Sequence, residues 1–184
     1  LACVHLDECI AIQLDDDGNL FECWMNANTI AEVWLQLSDK LTLSGERYWQ
    51  QLTIEKGIPE ISLRTIDMFI PQMLNLHTIG AVSFTKGCYT GQEVIARMQY
   101  KGKLKRTLYR IKISGDCSNL IPGTELYPLP SDGADNSPQS VGNLVNIVQL
   151  PDNSYEALAV IASKNVDENN LVIGNQGLSL EILS

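Results

Sequence analysis

Apolar residues along this chain keep helical spacing in its first half and strand spacing in its second. Ile30, Val33, Trp34 and Leu37 fall at i, i+3, i+4 and i+7 behind a Thr29-x-x-Glu32 capping box. The pattern predicts an amphipathic helix with Trp34 in its buried stripe. Upstream, the apolar runs 9–15 and 20–25 flank Asp16-Asp17-Gly18-Asn19, a hairpin signal. A hairpin followed by a helix reads as the tail of an α+β unit whose first elements would precede Leu1, and the Leu start itself suggests a fragment or processed product. A second helix is expected over 46–56, ended by Gly57 and Pro59.

Residues 58–85 form a long connector of weak periodicity, a length that usually serves function or hides short elements. His77, within it, has no second ligand at metal spacing and reads as a surface or core residue. From Thr107 onward the pattern is all strand: 107–113, 125–129, 141–150, 155–162, 171–173 and 178–183, separated by Gly-, Pro-, Asn- and Asp-rich turns. Six short strands without a helix imply a small antiparallel barrel or sandwich. The fold class is therefore α+β, with an α+β portion over 1–104 and a β-barrel over 105–184. Residues 99–106 read as a basic loop between the two, and 130–140 as a mobile loop.

Composition narrows the function classes. At 45% apolar and 19% charged residues the chain is globular rather than disordered. No apolar run reaches membrane-spanning length and no leader opens the sequence, so the expectation is a cytoplasmic protein without a membrane partner. The five cysteines, Cys3, Cys9, Cys23, Cys88 and Cys117, are odd in number and form no C-x-x-C pair. They argue for a reducing compartment and against a disulfide framework or a zinc site.

Charge is distributed unevenly. Residues 86–112 hold eight of the 13 basic residues and one acid, Glu93, within a chain of net charge −9. The Lys101–Lys112 part of this island, including Lys103 and Lys105, suits a polyanion such as RNA or a polyglutamyl tail, and equally a solvated hairpin with no ligand. Tyr100 and Tyr109 are too few and too far apart for a base-stacking platform.

The chemistry concentrates in Lys86-Gly87-Cys88-Tyr89-Thr90-Gly91-Gln92-Glu93-Val94-Ile95-Ala96-Arg97. Thr90 and Glu93 have capping-box spacing, which would set Cys88 just outside a helix N-terminus. With Lys86 and Arg97 near in sequence, its thiol is a candidate for a lowered pKa and a reactive sulfur. Gly87 and Gly91 leave the backbone open to close approach. The plainer reading is a turn whose cysteine fills a small apolar gap. On the second helix, Trp49 fits a core anchor or an aromatic wall for a flat heterocycle, with Glu55 accepting from the ring's N–H groups.

The run K-G-C-Y-T-G-Q-E-V-I-A-R over 86–97 resembles the signature of the YgfZ family, folate-binding proteins related to the glycine-cleavage T-protein, an aminomethyltransferase. The segments W-Q-Q-L-T-I-E-K-G-I-P (49–59) and F-I-P-Q-M-L-N-L (69–76) resemble two further elements of that family, in the same order. The resemblance implies the C-terminal part of a T-protein-like fold, with a ferredoxin-like α+β portion before a β-barrel. It also implies tetrahydrofolate or a derivative as cofactor, bound through Trp49, Glu55, Gln92 and Arg97, with Cys88 as the reactive thiol. The implied partners are iron–sulfur enzymes and those that thiolate or methylthiolate tRNA. Thr53 stands where T-protein relatives commonly carry Arg, which favours an accessory factor over a one-carbon transferase.

Overall fold

A computed structural model describes residues 2–6, 8–129, 139–166, 171–174 and 177–183. The chain divides into two compact units, Leu1–Ser44 and Gly45–Ser184.

The first unit is an antiparallel meander, β1 (Cys3–Leu6), β2 (Cys9–Gln13) and β3 (Phe21–Met25), followed by α1 (Ile30–Ser38). The expected hairpin joins β2 to β3. Its turn is fastened by the Asp15 carboxylate, which accepts the backbone N–H groups of Asn19 and Leu20 at 3.0 Å each. Gly18 supplies the left-handed conformation there, at φ 72°. The strand β1 is an addition to the sequence expectation, because four residues with a central His carry too little alternation to read.

Two expectations fail in this unit. Thr29 occupies the N-cap of α1 without a capping box, because its hydroxyl donates to the Glu8 carboxylate at 3.1 Å. Trp34 is not core: it is 52% exposed, and α1 buries none of its residues. The helical stripe exists, but the described residues of this unit cover it only in part, leaving Ile30 48% and Trp34 52% exposed.

The second unit opens with α2 (Glu46–Glu55), which ends as its sequence dictates. Gly57 adopts φ 66°, its N–H bonds the Ile54 carbonyl at 3.1 Å, and Ile58 N–H reaches back to Thr53 at 2.8 Å. That bonding is a Schellman motif. The connector that follows has turns but no helix or strand until α3 (Gln92–Lys101). Residues 99–101, expected in a loop, are the last turn of α3, which stops only when Gly102 N–H bonds Met98 at 3.2 Å.

Then come β4 (Arg106–Ile113), β5 (Glu125–Pro128), β6 (Gly142–Gln149), β7 (Tyr155–Ala162), β8 (Leu171–Ile173) and β9 (Leu178–Ile182). All pair antiparallel in a closed barrel of order β4-β7-β6-β5-β8-β9, with β9 returning to β4. The six expected strands are all present. Of the loop expected at 130–140, residues 130–138 lie outside the described residues.

Alternation along the strands sorts the core into two layers. Ile111, Ile113, Leu144, Ala157, Ala159 and Ile161 point into the barrel. Leu108, Val145, Val148, Leu158 and Val160 point outward, against Ile54 of α2 and Leu74, Phe69 and Met73 of the connector. A bulge at Val145 sets Val145 and Asn146 both outward, and the Asn146 side chain accepts Glu60 N–H at 3.0 Å.

Gly142 enters β6 where a Cβ would strike the Val160 carbonyl and approach Ile161 Cα to 3.2 Å, both backbone atoms of the neighbouring strand. Gly142→Ala therefore lowers stability by about 1–3 kcal/mol in urea denaturation, whereas Gly87→Ala, with open space around it, changes it by under about 0.5 kcal/mol.

Candidate functional site

The motif region forms an exposed loop running into α3. Gly91 takes the N-cap position at φ 88°, a conformation that side chains rarely adopt. Thr90 is thereby displaced one residue outside the helix, no side chain caps α3, and the Thr90–Glu93 capping box does not form. Around Gly87 and Gly91 no atom lies within 4 Å of where a Cβ would stand, so both leave open approach to the backbone. Cys88 is exposed between them.

The loop is held at its flanks. Lys86 Nζ sits 4.8 Å from the centre of the Tyr89 ring, a cation–π contact within the motif. Phe84 meets Tyr100 edge to face with centroids 6.3 Å apart, joining the start of the loop to the end of α3. Gln72, 3% exposed, donates to the Ile95 carbonyl at 2.8 Å and ties the helix to the connector.

A second constellation lies on the outer face of the barrel. Ile54, 1% exposed, anchors α2, which leaves Trp49 40% exposed. Trp49 is therefore not a core anchor. Glu55 accepts from Gln51 Nε2 at 2.9 Å, and its carboxylate is 4.0 Å from Arg110 Nη2. Arg110 in turn donates from Nε and Nη2 to Glu156 Oε2 at 2.9 and 2.7 Å. Glu156 is 8% exposed, and the guanidinium supplies the side-chain hydrogen bonds that its buried carboxylate accepts. Glu55 and Arg110, with Asn75, Thr78 and Tyr109, line a cleft of about 180 Å³. Asn75, at φ 55°, fixes that side of the cleft by donating to the Leu108 carbonyl at 3.2 Å.

Among the described residues, no hydrogen bond, ion pair or ring contact joins Trp49 or Glu55 to Cys88, Gln92 or Arg97. Arg110 and Glu156 were missed as site residues. Their signal was an acid opening the otherwise apolar strand Y-E-A-L-A-V-I-A, which demands a cationic partner on an adjoining strand. No group of three potential metal-ligating side chains occurs among the described residues, and no helix among them is long and apolar enough to cross a membrane.

No family model matches the chain. Individual relatives do. The tRNA-modifying protein YgfZ of Klebsiella pneumoniae is 34% identical over 149 residues, 81% of this chain and 44% of the relative. That of Blochmanniella pennsylvanica is 35% identical over 131 residues, 71% of this chain and 38% of the relative. In Pectobacterium carotovorum the identity is 50% over 79 residues, 43% of this chain and 24% of the relative. The chain belongs to the YgfZ family. It spans less than half the length of the YgfZ relatives it matches.

Within this YgfZ chain the cysteines divide by environment. Burial, and then the Asp116 charge, pushes the Cys117 thiol up, and the residue is 2% exposed, whereas Cys88 is exposed. A raised pKa means less thiolate at any given pH, so both causes slow Cys117. Native labelling with a thiol reagent at pH 8, read by peptide mass, modifies Cys88 and spares Cys117 until denaturant is added. The charge pair has its own test. Arg110→Ala lowers stability by about 3 kcal/mol because Glu156 is left buried and unpaired, and Arg110→Met with Glu156→Leu recovers most of that loss in thermal or urea unfolding.

Proposed function

We propose that this chain is part of a tetrahydrofolate-binding accessory factor that supports tRNA modification and iron–sulfur enzymes. The observation that carries the reading is that its motif side chains are not spent on the fold. Trp49, Cys88 and Arg97 are exposed and make no side-chain hydrogen bond or ion pair among the described residues, in a chain whose relatives are named tRNA-modifying proteins.

The groups on α2 have the chemistry a reduced folate requires. An exposed indole offers a stacking face for a pterin ring. The Glu55 carboxylate can accept hydrogen bonds from N–H groups, and Arg110 Nη2 lies 4.0 Å from it. The cleft of about 180 Å³ is smaller than the roughly 300–1,000 Å³ that encloses a drug-sized ligand, so these residues form one edge of such a site. Gln92 and Arg97 would serve a bound folate from α3, and Cys88 would be the thiol beside it. The α+β sheet unit and the barrel suit the ferredoxin-like and barrel parts of a T-protein-like fold.

An accessory role is favoured over one-carbon transfer. Thr53 donates its hydroxyl to the Gln50 carbonyl at 2.9 Å within α2 and offers no cation in place of the Arg common in T-protein relatives. The engagement of Glu55 by Gln51 and Arg110 suits binding rather than proton transfer.

Titrating 5-formyltetrahydrofolate into the full-length protein, read by tryptophan fluorescence, tests the reading. Saturable quenching is expected, weakened at least about tenfold in Trp49→Ala, a loss of about 1.4 kcal/mol or more, and retained in Cys88→Ala. Absence of binding by the intact protein would sink the folate assignment.

A further inference from the structure

The basic island of the sequence is not one surface. Arg110 is turned to Glu156 on the flank of the barrel, and Lys86 lies over Tyr89. Three of the remaining cations gather elsewhere. Lys103, Lys105 and Arg106, entering β4, line an open pocket of about 860 Å³ together with Ser140 and, from the far end of β7, Lys164.

Two backbone-directed bonds build this pocket. Ser163 N–H donates to the Lys105 carbonyl at 3.0 Å, which ties the short 3-10 turn after β7 to the α3–β4 linker and places Lys164 beside it. Arg106 Nη2 donates to the Ser140 carbonyl at 3.3 Å, which fixes the opposite wall. Four cations from two segments, 103–106 and the turn after β7, thus converge on one concavity. None of the described residues lining it is acidic, although the chain as a whole carries a net charge of −9. Like charges held together cost free energy through mutual repulsion, and a polyanion offsets that cost.

We propose that this pocket at the mouth of the barrel binds the phosphodiester backbone of RNA, with Lys103, Lys105 and Lys164 as the phosphate contacts. The occupant is chosen by chemistry. An open cationic concavity without an aromatic among its lining residues reads phosphates rather than bases, and sequence choice would come from elsewhere in a complex. Its size admits a stretch of backbone rather than a single phosphate. This site deepens the tRNA reading above and is independent of the folate face at Trp49.

The test uses the full-length protein and a fluorescein-labelled, unmodified tRNA transcript, with anisotropy measured across a salt series. Each phosphate contact contributes roughly 0.7–0.9 to the slope of log K against log salt. Neutralising the three lysines together, as Lys103→Gln, Lys105→Gln and Lys164→Gln, should lower the slope by about 2–3 and the affinity at 0.1 M salt at least about tenfold. Lys164→Gln alone should weaken binding as much as Lys103→Gln, and Lys40→Gln should have no effect. Equal affinity and slope in the triple variant, or no tRNA binding by the unmutated protein, would overturn the site. So would binding of phosphatidylserine vesicles or poly-L-glutamate in place of tRNA. Folate titration of the same samples separates the two failures: quenching without tRNA binding defeats only the pocket, and tRNA binding without quenching defeats only the folate face.

Discussion

The strand Tyr155–Ala162 is buried on both faces, and the second unit is built around that constraint. Its inward residues, Ala157, Ala159 and Ile161, are small enough at two positions to let the barrel close. Its outward residues, Leu158 and Val160, need a second apolar layer, which α2 and the connector provide through Ile54 and Leu74. An outer layer is therefore a condition of the barrel's stability, not an attachment to it. The same burial captures Glu156 at the start of the strand, and the Arg110–Glu156 pair follows because a lone carboxylate there would be too costly. The arginine that satisfies the strand is then available to Glu55 on the helix above it.

Whatever depended on local pattern could be read from the sequence. Strand alternation and turn residues mark all six barrel strands, and Gly57 followed by Pro59 marks the end of α2 through the backbone bonds that only a left-handed residue permits. Features decided by competition between partners could not be read. Both Thr-x-x-Glu spacings are genuine, yet Thr29 bonds Glu8 instead and Gly91 displaces Thr90 from the cap. The stripe on α1 predicts burial only if a layer faces it, and among the described residues of its unit that layer covers too little to bury Trp34. The connector defeats periodicity because it is held by individual side chains, Gln72 to Ile95 and Asn75 to Leu108, rather than by a repeating ladder.

The same distinction governs the candidate sites. Trp49 and Cys88 stood out in sequence, and the fold leaves both exposed, Cys88 in an open loop and Trp49 on the uncovered side of an anchored helix. The charge island was visible as composition, but its division was not, because a linear count cannot tell an arginine facing a buried glutamate from a lysine facing water. Lys164 was invisible for the opposite reason: it stands alone in sequence and joins the cluster only through the pairing of β4 with β7.

That pairing also sets the distance between the two chemistries. Arg106 and Arg110 lie on the same face of β4, four residues apart, which at about 3.3 Å per residue separates their backbones by roughly 13 Å. Between them Leu108 is buried against the outer layer, and its carbonyl is taken by Asn75. The apolar plug keeps the cationic pocket from merging with the Glu55 cleft into one groove. Arg110 is held to its carboxylates while Arg106 remains at the pocket. A single strand thus carries both arginines in fixed relation, and a one-residue slip in its register would turn both into the barrel at once. The rigidity of the β4–β7 ladder, rather than either cluster of side chains, keeps the Glu55 cleft and the cationic pocket a constant distance apart.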